Sequence, residues 1–361
     1  MIVSGIVGLG VFLLPYALAQ SGVFFWLWFV FLILAIYFLH LAYGEIIFAV
    51  GERHNLPGLA ARLLGPRWKL PVWLFDFASL QLVFLAYLIA LGEFVPLVVT
   101  VSPLTVKLAL VVFAAIVTAL RFNPFVKIEA GLSFLKVALA LVLSSYLLKT
   151  TSFNLVIDTL RSSFGHFGNP LLPYGLILFA LTGTSSLLLV YDLLGRDARA
   201  FRRVNAIALT IVAVLYVLFT VAVTSRFGAG VGEASLGNLV AVLPLLFARV
   251  IVLLVVMNIT TTLFALAEYL KRGLISDFRW RPLTAWLAVV LPLLLSAFLP
   301  LGRLVGLASV TGSLFLGVNL MILLLCYQRL ERTDRFGVSR GIVWLLTVVF
   351  GLGWLIGLLV G

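Results

Sequence analysis

The chain has 361 residues, of which 63% are hydrophobic and only 11% are charged, and its mean hydropathy is +1.23. Soluble domains carry about 45 to 50% apolar and about 25% charged residues, so this composition excludes a soluble protein and indicates an integral membrane protein. The net charge of +12 would suit a nucleic-acid-binding protein, but the basic residues cluster in alternate loops, as membrane topology requires.

Apolar runs long enough to cross a bilayer recur along the whole chain. A helix needs about 20 such residues to cross ~30 Å of hydrocarbon, and the alternating pattern of a membrane barrel is missing from the sequence. We therefore predict an all-α polytopic protein with a single membrane domain. Its eleven expected spans lie at about residues 1–20, 23–49, 71–99, 104–121, 128–149, 171–194, 204–226, 243–270, 282–300, 303–328 and 341–360.

Most of the 25 basic residues fall in the loops after the even-numbered spans. Because basic loops face the cytoplasm, we expect a multi-pass protein of the cell (inner) membrane with a cytoplasmic amino terminus, and no nucleic-acid partner. Cys326 is the only cysteine and lies in an apolar span, so no disulfide framework or thiolate metal cluster is expected. We predict no metal site and no cofactor, and the sequence indicates no oligomeric state.

Span one contains the stretch GIVGLGVFLLPYALAQSG, with Gly5, Gly8, Gly10 and Pro15. Inside a helix each Gly costs about 1 kcal/mol and Pro about 3 kcal/mol relative to Ala, so something must offset that cost. One interpretation is a broken helix whose freed backbone groups bind a polar solute. The alternative is that the glycines only let neighbouring helices approach closely, as small residues do in membranes.

Span five contains Lys136, about thirteen residues from the basic end at Lys149. That depth is too great for easy snorkelling, and ionisable residues inside a span are functional candidates. Burial can bring a lysine into a range where it exchanges a proton. Lys136 could be a proton carrier or a fixed cation, or it could turn its head into a water-filled cytoplasmic cavity.

Span six is interrupted near its middle by the small and polar residues 182–186. It comes five spans after the first interrupted span, and an odd number of spans per unit makes the second copy inverted, as in many secondary transporters. We predict repeats at about residues 1–149 and 171–328, with an extra helix at about 341–360. Freed N–H groups suit a carboxylate and freed carbonyls suit a cation, so an amino acid could use both.

Span eight carries three consecutive threonines, Thr260, Thr261 and Thr262. Their hydroxyls could join carbonyls near the first break in a site for a hard cation such as sodium. Threonines in membrane helices also commonly donate to carbonyls of their own helix, so the signal has two interpretations.

The first-span stretch resembles the first helix of the amino acid/auxin permease family, in which Gly-x-Gly is followed by Leu-Pro and an Ala-x-Ala/Gln-x-Gly ending. Span six, ILFALTGTSSLLLVYDL, is similar to the sixth helix of that family. The stretch TTTLFALAEYLKRGL, residues 260–274, resembles the eighth helix of its hydroxy and aromatic amino acid permease branch. The resemblance implies a leucine-transporter-type fold of five plus five inverted helices, in the amino acid, polyamine and organocation superfamily, with discontinuous helices one and six.

The resemblance also implies roles for individual residues. Its substrate site would use backbone atoms of the first span and residues of span six, with a tyrosine of span three as a cover or as an ordinary buried tyrosine. The implied substrate-binding residues are Gly8, Leu9, Gly10, Tyr87, Phe179, Thr182, Gly183 and Thr184. The implied ion-coupling residues are Lys136, Thr261 and Thr262.

Related permeases place a lysine on this helix where sodium sits in sodium-coupled relatives, and this chain resembles them at Lys136. A lysine and a sodium ion exclude each other from one site by charge, so proton coupling or uniport is favoured over sodium coupling. We expect a secondary transporter that moves a small-molecule amino acid across the lipid bilayer. A sodium symporter and a non-transporting sensor on the same fold are the alternatives, whereas the motifs of hydrolases and ATPases are missing from the sequence.

Overall fold

A computed structural model describes the protein over residues 2–51, 54–119, 125–195, 197–299, 303–331 and 335–360. In these ranges the regular structure is helical, as predicted, apart from one isolated bridge between Gly22 and Phe167. The α-helices, in chain order, are α1 Ile2–Ile6, α2 Leu14–Ser21, α3 Val23–Val50, α4 Leu56–Leu63, α5 Lys69–Phe94, α6 Pro103–Ala119, α7 Phe125–Thr150, α8 Phe153–Gly165, α9 Leu172–Leu181, α10 Leu187–Leu193, α11 Ala198–Phe227, α12 Ser235–Val242, α13 Leu245–Ser276, α14 Pro282–Ala297, α15 Leu304–Val310, α16 Gly317–Gln328 and α17 Arg340–Val360.

Every predicted span coincides with helical structure, and spans one, six and ten each consist of two α-helices joined by a tighter or wider turn. Among the described residues, five stretches are long and apolar enough to cross a membrane alone: those around α3, α5, α11 and α13, and the stretch from α15 to α16. The pair α7 and α8, bent by 108°, adds a sixth. The other apolar helices are shorter. The predicted span ends at residues 1, 120–121 and 300 lie outside the described residues.

Three further helices, α4, α8 and α12, occupy segments that the span prediction left as loops. The helix α8 begins at Ser152, whose hydroxyl accepts a hydrogen bond from the Leu155 N–H at 3.4 Å, a common N-cap arrangement. The helix α8 has one apolar face and one polar face and is mostly exposed, which suits a helix that lies against the bundle. The helix α4 is different, since its residues 56–60 are all buried. The helix α12 is held by Ser235, whose hydroxyl donates to the Phe12 carbonyl at 2.9 Å.

The two interrupted spans lie in the middle of the bundle. Residues 9–14 of the first span and residues 173–181 of α9 are all buried. The helix α9 packs against α2 and α3 on one side and against the π-helical turn Thr311–Leu316 on the other. The approach to this turn is so close that a Cβ on Gly312 would lie 1.9 Å from the Gly175 carbonyl oxygen. The interrupted spans are therefore the core of the protein, and their breaks are shielded from lipid.

Candidate functional site

The first span is broken just before its middle. Helix α1 ends at Ile6, Gly8 has φ −139° and ψ −146°, and the chain resumes as a 3-10 helix over Leu9–Leu13. A Gly at this point lets the chain leave the helical path without a side chain to place. The break predicted from the glycines and proline of this span is therefore present.

The sixth span is broken in a similar way. Helix α9 ends at Leu181, Thr182 is extended, and a 3-10 turn over Thr184–Ser186 leads into α10. The Thr182 hydroxyl donates to the Leu178 carbonyl at 2.6 Å, and the Ser186 hydroxyl donates to the Gly183 carbonyl at 2.7 Å. Each of these carbonyls also accepts the backbone N–H of the same residue, so the two hydroxyls add second hydrogen bonds on either side of the break.

The two breaks are packed directly against each other through glycines. A Cβ on Gly10 would lie 2.4 Å from the Ala180 Cα, and a Cβ on Gly183 would lie 2.5 Å from Ile6 Cγ1 and 3.1 Å from the Gly5 carbonyl carbon. All three distances are below van der Waals contact, the first two by about 1 Å or more. The close-packing interpretation therefore applies to Gly10, and Gly183 packs as closely, whereas a Cβ on Gly8 would meet no atom nearer than 3.9 Å.

We expect Gly10→Ala to lower the Tm of the purified protein, because the added methyl group meets backbone that cannot turn aside. Overpacking of this kind typically costs about 1 to 3 kcal/mol. Gly306→Ala is the matched control, since a Cβ there meets no atom within 4 Å. Thermal unfolding in one detergent would measure both variants. Equal Tm values for the two would show that Gly10 has no packing role.

A hydroxyl from a different span joins the two breaks. Tyr216 on α11 is buried, and its single O–H is shared between the Ile6 carbonyl at 3.0 Å and the Ala180 carbonyl at 2.9 Å. Each acceptor lies at the end of a helix where the next turn is missing, so each lacks its usual helical donor. Sequence reasoning missed Tyr216, because nothing near it in the chain shows that it reaches both breaks.

A small cavity of about 40 Å³ lies beside the first break, which is room for roughly two to four water molecules. It is lined by Gly8, by Lys136 of α7, by Phe219 of α11 and by Asn258 of α13, among others. Lys136 is only 9% exposed. The buried lysine predicted from span five therefore faces the broken helix.

Tyr87 of α5 completes one side of this region. Its hydroxyl lies 4.0 Å from the position that a Cβ on Gly8 would take. The structure thus brings together Gly8, Tyr87 and Lys136, three of the predicted site residues. Leu9 is buried in the 3-10 turn behind Gly8.

The predicted residues of span six are placed differently. Thr182, Gly183 and Thr184 lie at the second break, and Phe179 lies on the last turn of α9 before it. In the described part of the chain these four residues do not line the cavity beside Gly8. Of the four, Gly183 packs directly against the first span, at Gly5 and Ile6.

The three threonines of α13 follow the alternative interpretation. Thr260 donates to the Val256 carbonyl at 2.6 Å, and Thr261 and Thr262 donate to the Asn258 carbonyl at 2.9 and 3.0 Å. The polar residue of α13 that lines the cavity is Asn258, whose Oδ1 has no hydrogen-bond partner among the described residues. Asn258 was missed because a single amide in an apolar span gives no pattern.

A larger open cavity, which we call the vestibule, lies at the end of α5 opposite the basic loops. It measures about 640 Å³ and is lined by Glu93, Phe94, Glu233 and Arg303, among others. The Arg303 Nε lies 3.2 Å from the Glu233 Oε1, which connects the start of span ten to the segment before α12. The vestibule is therefore lined by charges of both signs together with apolar residues.

Aromatic rings separate the vestibule from the cavity at the break. Phe12 lines the cavity and packs edge-on against Phe94, which lines the vestibule, with ring centroids 6.4 Å apart. Phe12 also packs edge-on against Phe219 at 5.6 Å. These rings form a closed apolar plug over the site.

We expect Phe94→Ala to open the plug. The reporter is Val11→Cys, at a residue that lines the cavity, in a Cys326→Ala background. Its reaction with a membrane-impermeant thiol reagent should be about tenfold faster when Phe94→Ala is added. A tenfold change in rate corresponds to about 1.4 kcal/mol of activation free energy. Phe84→Ala truncates a fully buried ring of the same helix and should leave the rate unchanged. An unchanged rate in Phe94→Ala would show that this ring does not close the site.

Two solved structures share the fold over nearly the whole chain, whereas no protein-family model and no curated protein matches it. MhsT, solved in complex with L-phenylalanine, superposes with a TM-score of 0.72 at 15% identity, covering 99% of this chain and 96% of that chain. A manganese transporter of Eremococcus coleocola, solved with an aromatic bis-isothiourea substituted compound, gives 0.68 at 14% identity, covering 99% and 84%. The predicted leucine-transporter-type fold is thereby confirmed, and the exact repeat boundaries stay a prediction.

Proposed function

We propose that this protein is a secondary transporter of amino acids that works by alternating access. The observation that carries the proposal is the contact between two broken helices in the centre of the bundle, with Gly8, Tyr87 and Lys136 gathered at the first break. Broken helices inside a membrane protein are tolerated where the freed backbone lines a binding cavity. The fold shared with MhsT, a protein that was solved with L-phenylalanine, supports an amino acid as the class of substrate.

The polar groups at the site suit a neutral amino acid. Freed N–H groups at the start of the 3-10 turns, near Gly8 and Thr184, are donors for a carboxylate. The Asn258 Oδ1 is an acceptor without a partner among the described residues, and an ammonium group is a donor that would satisfy it. A divalent metal ion is disfavoured as substrate because it would bring two positive charges to the cavity that Lys136 lines, whereas a neutral amino acid brings a carboxylate that offsets its ammonium group.

For the coupling ion we propose the proton. The Lys136 side chain already supplies a positive charge next to the first break, so a sodium ion in the same place would face a like charge at short range. The alternative is sodium coupling through oxygens of α13, and the orphaned Asn258 Oδ1 is the observation that favours it. The hydroxyl oxygens of Thr261 and Thr262 would then coordinate the sodium ion. Each hydroxyl donates its proton to the Asn258 carbonyl, which leaves the lone pairs of its oxygen available.

We further propose that the basic loops and the amino terminus face the cytoplasm, with the vestibule on the outside of the cell membrane. The apolar plug of Phe12 and Phe94 is then closed on the outer side of the site. Transport would require one group of helices to rock against the other, so that this plug opens while the opposite side closes.

The proposal is tested by uptake of labelled amino acids into proteoliposomes, with proton and sodium gradients imposed separately. We expect accumulation driven by the proton gradient and indifferent to sodium. Accumulation driven only by sodium would favour the alternative coupling ion. No uptake of any amino acid above that of protein-free vesicles would favour the non-transporting sensor and overturn the proposed function.

A further inference from the structure

A second buried polar cluster lies on the basic side of the site and has no part in the function proposed so far. Its centre is Asp76 of α5, which is 7% exposed. The hydroxyl of Tyr269 on α13 donates to Asp76 Oδ2 at 3.1 Å, and the amide of Asn319 on α16 donates to Asp76 Oδ1 at 3.3 Å. The Asn319 amide is also 3.1 Å from Ser79 Oγ.

The described hydrogen-bond partners of the Asp76 carboxyl group are both uncharged donors. A buried carboxylate is normally paired with a cation or kept neutral, because an isolated charge in a low-dielectric interior is very costly. Two other titratable groups face this cluster: Tyr43 of α3, and Cys326 of α16, which faces Tyr43. Lys271 lies two residues beyond Tyr269, but its ammonium is bonded to the Thr118 carbonyl and to Glu268.

The Asn319 side chain is itself buried, at 7% exposure. Both of its described hydrogen bonds use Nδ2, which donates to Asp76 Oδ1 and to Ser79 Oγ. An amide donor carries no positive charge, so a negative charge on Asp76 is not offset by either of its described hydrogen-bond partners.

The cluster shares its helix faces with the substrate site. Asp76 precedes Tyr87 on α5, and Asn258 precedes Tyr269 on α13, by the same spacing of about three helical turns, or ~16 Å. At this spacing each pair lies on one face of its helix. The two helices run in opposite directions, so the Asp76 cluster forms a second polar layer beneath the layer of Tyr87 and Asn258.

The cluster is also connected to the loop helix α4. The Tyr269 hydroxyl accepts from the Leu56 N–H at 3.3 Å while it donates to Asp76, and the Asn55 amide donates to the Tyr269 carbonyl at 2.9 Å. A hydroxyl holds a carboxylate more strongly than a carboxylic acid. The protonation state of Asp76 therefore alters how firmly α4 is held over the basic side of the bundle.

We propose that Asp76 is the binding site of the coupling proton, and that Tyr269 and Asn319 are its positioning residues. That Asp76 binds a proton rests on the cluster alone, whereas the coupling of this proton to transport rests on the proposed function. When the basic side is closed and the vestibule side is open, a proton from the aqueous phase on the vestibule side bonds to an Asp76 carboxylate oxygen. It returns to water when α4 moves away and water reaches the carboxyl group. Lys136 then acts as a fixed cation at the first break.

The first test needs no substrate. Infrared difference spectra of the protein in lipid, recorded across a pH titration, should contain a carboxylic-acid C=O band that disappears in Asp76→Asn. Glu45→Gln is the matched control, since Glu45 is also buried but accepts from the backbone N–H groups of Arg335 and Phe336. A titrating band that survives in Asp76→Asn, or no titrating band in the parent protein, would overturn the proton site.

A milder variant covers the case in which Asp76→Asn does not fold. Asn319→Leu removes one donor and leaves the carboxyl group in place. Its titration midpoint should move to higher pH by about one pH unit, the size expected for one lost hydrogen bond to a charged group. An unchanged midpoint would overturn the assignment of the band to this cluster.

Transport separates this proposal from the function on which it rests. Asp76→Asn should keep the exchange of labelled for unlabelled amino acid across the membrane but lose accumulation driven by a proton gradient. If Asp76→Asn still accumulates substrate with the proton gradient, the proton site is wrong and the transport function stands. If the parent protein moves no amino acid while the Asp76 band titrates, the transport function is wrong and the proton site stands.

Discussion

Lys136→Ala is expected to abolish proton-driven uptake of amino acids into proteoliposomes. Lys136 lines the cavity beside Gly8, and its loss removes the fixed positive charge that the proposed coupling mechanism requires there. We expect a fall in initial rate of at least about tenfold, or about 1.4 kcal/mol of activation free energy. The measurement compares the initial uptake rates of the parent and the variant, reconstituted in equal amount and with the same orientation in the vesicles.

Lys149→Ala is the matched control for this variant, because Lys149 is an exposed lysine of the same helix. Exposed substitutions usually change stability by less than about 0.5 kcal/mol, so its uptake rate should stay within about twofold of the parent. If Lys136→Ala gains uptake that depends on sodium, the lysine is a fixed substitute for that ion. Uptake that is unchanged by Lys136→Ala would exclude Lys136 from the site.

Tyr216→Phe is expected to weaken substrate binding strongly although it removes only one oxygen atom. The ring still fills its place, but the Ile6 and Ala180 carbonyls lose their shared donor. A buried acceptor left without a partner costs about 1 to 3 kcal/mol. If that cost falls on the arrangement of the two breaks, the affinity for substrate drops by roughly fivefold to a hundredfold.

Tyr174→Phe provides the comparison, since Tyr174 is a fully buried tyrosine of α9 whose hydroxyl has no partner among the described residues. Removing that hydroxyl should leave affinity unchanged and stability equal or higher. Binding is measured by equilibrium dialysis of labelled amino acid with each variant. Equal affinities for Tyr216→Phe and Tyr174→Phe would show that the bridge between the breaks is not needed for the site.

Much of the fold could be predicted from hydropathy alone, because every long apolar run had to become a helix inside a membrane. The helices α4, α8 and α12 were missed because each is short and lies outside the long apolar runs. Their positions depend on tertiary contacts such as the hydrogen bond from Ser235 to Phe12. Such contacts join residues that are far apart in the chain and leave no local pattern.

The candidate site could be predicted at positions where a residue type is unusual for an apolar membrane helix. Lys136 is a charge in an apolar helix, and Gly8 is a helix breaker in one, so both stand out in the sequence. Tyr216 and Asn258 do not stand out, because a single tyrosine or amide is unremarkable in a membrane helix. Their importance comes from partners on other spans, namely the two breaks and the cavity. The threonines of span eight were ambiguous from the start, since their hydroxyls had acceptors in their own helix.

The central claim is that the two helix breaks form one binding site for an amino acid. Hydrogen exchange of the backbone amides, with and without a saturating mixture of the standard amino acids, tests it most directly, since binding slows exchange where it orders the backbone. We predict that residues 9–13 and residues 184–186 become protected together, and that α8 and α17 do not change. Protection at neither break, or only at a surface remote from Gly8 and Gly183, would contradict the claim.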